Sequence, residues 1–222
     1  MKRATIPTLS VAFLLLACGE EAPVPTPATI DRTTTEPATA PAPATTPPPA
    51  AEPAPPPAMT PDAALAAANA AADRLGSTLR ARLLLAMTEG GPAAAVRVCA
   101  DEAQALTAAA ATESGARVGR SSLRLRNAAD GPPDWVAAWL TEAGERPAAG
   151  AAGVSQASDG HARVLRPIAI EAPCLSCHGE PASISPEVAA VLHERYPDDR
   201  ATGYALGDLR GALWAEVEFT PR

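Results

Sequence analysis

Apolar positions recur along this chain with two distinct periods. Leu65, Ala68, Ala72, Leu75, Leu79, Leu83 and Ala86 follow one another at intervals of three and four, which sets one face of an α-helix. Thr60-Pro61-Asp62 opens it, a hydroxyl able to cap the first turn and a proline whose missing N–H costs nothing there. Gly90-Gly91-Pro92 interrupts the pattern, and a second stripe of Val96, Cys99, Ala103, Leu106 and Ala110 predicts a helix from Pro92 to Ala111. Two apolar faces joined by so short a turn predict a helical hairpin.

After Gly115 the period changes. Arg117 to Arg126 alternates polar and apolar residues, which suits an extended or irregular segment, and Asp134 is expected to cap a short helix with Trp135 and Trp139 on one face. Ala152 to Ala157 and His161 to Ile170 read as strands joined by a turn at Ser158-Asp159-Gly160. Gly211 to Phe219 alternates at period two and predicts a third strand. Helices first and antiparallel strands later predict an α+β domain.

The first 61 residues follow neither pattern. Met1-Lys2-Arg3 is a positive n-region, and the apolar run through Leu16 is shorter than the roughly 20 residues a membrane-spanning helix needs. Residues 1–17 therefore read as a signal peptide, and Leu15-Leu16-Ala17-Cys18 resembles the lipobox of bacterial lipoproteins, which makes Cys18 the expected lipidated residue. Between Ala22 and Pro61, 14 of 40 residues are proline and most others are Ala, Thr or Glu. Such a stretch buries too little apolar surface to offset its ordering entropy, so residues 18–61 are expected to be a tether and 62–222 the folded domain. A formal net charge of −7 excludes nonspecific nucleic-acid binding as the default.

Cys174-Leu175-Ser176-Cys177-His178 is the attachment motif for c-type haem, in which two thiols add to the vinyl groups and the following histidine offers its imidazole to the iron. A redox disulfide uses the same cysteines but lacks a thioredoxin-like βαβ setting, and a zinc site needs a second pair of ligands at zinc-like spacing. An export signal favours haem. For the opposite face of the iron the residues leave Met59, Met87, His161, His193 and the thiol of Cys99 as candidates.

Several segments resemble the Tll-like c-type haem domain family: Val96 to Cys99, Val118 to Asn127, Pro133-Asp134-Trp135, Cys174 to Gly179, and Tyr196 to Ala212. The match spans nearly all of residues 62–222, with Ser121 where that family usually has threonine. The resemblance implies a PAS-like antiparallel sheet with an N-terminal helical hairpin around one covalent haem, ligated by His178 and by a sulfur from Cys99. A coordinating thiolate favours ferric iron, so a low potential follows. Of the four arginines between 117 and 126, Arg120 and Arg126 lie within the matched signature and are expected to contact the haem propionates. Tyr196, Tyr204 and Arg210 belong to the other matched block and either line the pocket or serve its turn geometry, of which Gly203, Gly207 and Gly211 favour the structural role.

The function expected is that of a lipid-anchored electron carrier or redox buffer facing the periplasm, with a redox or signalling protein as partner. With two axial ligands no enzymatic activity is expected. A haem-based redox or gas sensor and a haem-free lipoprotein with a disulfide are the alternatives.

Overall fold

The computed structural model describes residues 55–144 and 147–222. The leader, Cys18 and most of the expected tether lie outside the described residues.

The two predicted helices form one segment, α1 (Pro61–Ser114), broken at Gly91. Gly91 has φ 71° and ψ −170°, a region essentially reserved for glycine, and Pro92 restarts the helix. The limbs fold back on each other. Arg74 and Glu113 are 39 residues apart in sequence and would be separated by roughly 60 Å along an unbroken helix, yet their charged atoms meet at 2.6 Å. Thr60 caps the first limb as expected, accepting from the Ala63 N–H at 3.2 Å. The second limb continues past Ala111 to Ser114, where the left-handed Gly115 closes it.

Four strands make an antiparallel sheet: β2 (Arg117–Ser121), β3 (Val154–Ser158), β4 (His161–Ala169) and β5 (Leu209–Glu218), in the order β2-β5-β4-β3. The last three form a meander, and β2 closes against β5. Asp159 and Gly160, with φ of 52° and 75°, make the tight β3–β4 turn. Alternation then divides the side chains. Val164, Ala215 and Val217 pack with Ala64, Ala68, Ala72 and Leu75 of α1, whose alanines let the first limb lie close. Leu165, Ala212 and Trp214 face α2 (Asp134–Ala143) through Val136 and Leu140, with Trp135 and Trp139 alongside. The sheet is thus covered on one face by the hairpin and on the other by α2, the α+β arrangement read from the sequence.

Two expectations need correction. Pro133, not Asp134, occupies the N-cap of α2, and Asp134 is the first helical residue, where its carboxylate suits the positive end of the helix dipole. The fold also starts before residue 62. β1 (Ala58–Met59) pairs in parallel with β6 (Thr220–Pro221), and Met59 packs against the hairpin–sheet core instead of belonging to the tether.

Candidate functional site

The Cys174–His178 segment is a 3-10 turn, Ala172–Cys174, running into one turn of helix, α3 (Leu175–His178). Residues three and four apart share a helical face, so Cys174, Cys177 and His178 point to one side. That side is the wall of a cavity of about 340 Å³ between α3, the ends of β2 and β4, and the part of the hairpin nearest Gly91. Met87 and Cys99 line the opposite, helical wall.

His178 is held in one tautomer. Its Nδ1 lies 2.7 Å from the Ala201 carbonyl, which can only accept, so Nδ1 carries the proton and Nε2 keeps its lone pair free. Burial, reinforced by Arg126 and Arg210, pushes the imidazole down to about 3, so it is neutral at any physiological pH. A neutral imidazole whose second nitrogen is anchored to a carbonyl is the arrangement metal-ligating histidines use. Burial pushes the Cys99 thiol up, against the pull of Arg120, and the Cys177 thiol up as well. Cys99 would therefore bind a metal with release of its proton.

Two stretches far apart in sequence lock α3 in place. Arg126 donates from Nε to Asp199 at 3.1 Å and from Nη2 to the carbonyls of Cys177 at 2.5 Å and Ala201 at 3.2 Å. Arg124 donates to the Arg200 and Thr202 carbonyls and stacks 4.0 Å above the Tyr204 ring, whose edge meets His178. The Gly203 N–H donates to Gly179 and the Tyr204 N–H to His178, at 2.7 and 3.0 Å. Gly179 is required where it stands, because a Cβ there would sit 2.6 Å from the Leu175 carbonyl oxygen.

The other candidate ligands are scattered. Met59 is part of β1 and packs against the core, His193 is exposed on α4 (Pro186–Arg195), and His161 lies 3.6 Å from the buried Glu216 on the sheet. Cys99 and Met87 are the two from that set that share the cavity with His178. Among the four arginines, Arg117 pairs with Glu216 and Arg124 serves the 200–204 loop. Arg126 borders the cavity, but Nε and one Nη are committed to the contacts above. Arg120 also borders it, and its Nε is buried without a partner. Arg210, read from the sequence as structural, forms part of the wall too; its place in the Tyr196–Ala212 segment was the available signal.

A second cavity of about 370 Å³ adjoins the first and shares Cys99, Cys174 and Arg120 with it, the two falling within the roughly 300–1,000 Å³ typical of ligand sites. A wider, open groove on the hairpin, beside Arg74 and Glu113, carries no thiol or imidazole. Among the described residues no three His, Cys, Asp or Glu side chains gather as a metal cluster.

The model of the Tll0287-like family matches residues 49–217. The chain belongs to that family. Its matched length takes in the hairpin, the sheet and α3, so the elements that build the cavity are those of a Tll0287-like domain. Among solved structures it is similar to the cyanobacterial heme-protein Tll0287, at 25% identity over 65% of this chain and 94% of that one, with a TM-score of 0.45. No curated protein gives a match to this Tll0287-like chain.

Proposed function

We propose that this chain is an exported, lipid-anchored protein that carries one covalent c-type haem and serves electron transfer or redox buffering. The observation that carries the reading is the pairing of the C-x-x-C-H motif with a His178 whose Nε2 is left free in a cavity that Cys99 also lines. Membership of a family named for a heme-protein supports the same cofactor.

Cys174 and Cys177 would form the thioether links, and His178 and Cys99 would provide the axial ligands. When bound, the haem supplies a reversible one-electron couple. The protein's share is to hold: Ala201 orients the imidazole, Arg126 ties Cys177 and Ala201 together, and Leu83, Leu84, Met87 and Val96 give the helical wall an apolar surface. With His178 and Cys99 both holding the iron, no side of it would be left for a substrate, and we assign no enzymatic activity. The signal-like leader and Cys18 support a lipid anchor with the domain facing the periplasm, where a redox protein would be the partner.

A sensor is the second reading, and the cavity adjoining Cys99 favours it, since it offers room for a displaced thiol or a small ligand. A pyridine haemochrome assay on the mature protein tests both the cofactor and its covalent link, and a colourless product defeats the proposal. Carbon monoxide added to the reduced protein separates the two roles: inertness with reversible electron exchange fits a carrier, rapid ligand exchange a sensor. Palmitate labelling that survives Cys18→Ser would rule out the anchor.

A further inference from the structure

Arg120, Arg126 and Arg210 line one cavity, and their charges oppose one another. Burial pulls the Arg210 guanidinium below the usual arginine range, and Arg126 and Arg120 pull it further, against Tyr204 and Asp199. Two nearby carboxylates pair with two of the three, and one of those pairs is loose. Asp199 is taken by Arg126. Asp130 stands off from Arg120 at 3.7 Å and accepts from Gln104 at 2.8 Å. Among the described residues no carboxylate forms an ion pair with Arg210, whose Nη1 donates to the Arg124 carbonyl at 3.2 Å. The Tyr204 ring lies 5.7 Å beneath its guanidinium, and Arg120 Nε has no partner at all. Buried guanidinium groups are costly unless paired, so a local cationic excess in a chain of net charge −7 calls for an anion from outside the polypeptide.

We propose that Arg120 and Arg210 form the carboxylate clamp of this cavity and take the two propionates of the haem, while Arg126 serves the loop that holds His178. The assignment rests on the haem reading above and departs from the sequence signature, which favoured Arg120 with Arg126. Two planar forks, one on β2 and one on β5, suit two carboxylates better than one committed side chain does.

The test uses full-length, haem-loaded Arg120→Gln, Arg210→Gln and Arg126→Gln proteins, with haemochrome content and midpoint potential measured from pH 5 to 9. Covalent haem is expected in all three. In the first two, loss of a cation beside a propionate should raise the oxidised-to-reduced ratio at the wild-type midpoint several-fold. A new redox-linked ionisation should also enter the range as the freed propionate gains protons more readily. In Arg126→Gln any new ionisation should be that of the unpaired Asp199, and it should be absent from Arg126→Gln/Asp199→Asn. If Arg210→Gln does not accumulate, Arg210→Lys keeps the charge without the fork and should show the ionisation in weaker form. Potential–pH curves like wild type for the Arg120 and Arg210 variants, or the ionisation arising instead from Arg126→Gln/Asp199→Asn, overturn the clamp. Absence of haem from the wild-type protein is a different failure, that of the cofactor reading and of the clamp with it.

Discussion

Arg126 shows how one side chain can set the geometry of a site without facing what the site binds. It is 12% exposed, pairs with an equally buried Asp199, and ties together the carbonyls of Cys177 and Ala201. Arg126→Gln should cost about 2–4 kcal/mol, because Asp199 and two carbonyls lose a charged donor. Urea titration at unchanged slope measures it; a midpoint equal to wild type would show that α3 is held by other means. Cys99 invites the complementary test. In haem-loaded protein, Cys99→Ala should move the ferric low-spin spectrum toward water or weaker-field ligation, whereas an unchanged spectrum would hand the sixth position to Met87, the other candidate on the same wall. At this scale the sequence was legible where identity and spacing suffice, as in Cys174, Cys177 and His178. It marked Arg126 and Arg210 but not where they point, because the aim of a guanidinium depends on loops more than seventy residues away.

The hairpin is the element whose stability is easiest to perturb separately. Gly91→Ala places a Cβ in backbone space that side-chain-bearing residues avoid, at about 1–3 kcal/mol. Thermal unfolding followed by circular dichroism should register a lower midpoint, and no change would mean the limbs can join by another turn. Arg82 and Glu102 bridge the same limbs through two hydrogen bonds of 2.6 and 2.7 Å, and that contact holds the Glu102 carboxyl below the usual carboxylate range. A lowered folded-state value means the pair contributes fully above the ordinary glutamate value of about 4.3 and is lost as pH falls through the lowered one. Between pH 7 and pH 3 the wild-type urea midpoint should therefore fall further than that of Glu102→Gln; parallel falls would remove this pair from the acid response. Helix periods, the Thr60 cap and the β3–β4 turn could be read from the chain because neighbours within a few residues decide them. β2 could not, since Arg117–Ser121 becomes a strand through pairing with Ala212–Glu216, and β1 was masked by the prolines around it.

For the whole molecule, the fold class followed from the order of the patterns, helices before antiparallel strands, whereas the site came from two sequence blocks that meet only in three dimensions. Val118–Asn127 and Tyr196–Ala212 converge on α3 through Arg124, Arg126, Asp199 and Tyr204. A chain beginning at residue 55 should accordingly retain the absorption spectrum and urea midpoint of the full-length protein once loaded. A loss of either on this truncation would mean that residues before Pro55 contribute to the fold. β1 and β6 stand where the hairpin begins, while the cavity is walled by residues near its bend, about 30 Å further along the first limb. A domain held from its N-terminal side would thus be gripped at one pole and open at the other. Changing the length of chain ahead of Ala58 would then alter the stand-off from whatever holds it, leaving the far pole and its chemistry as they were.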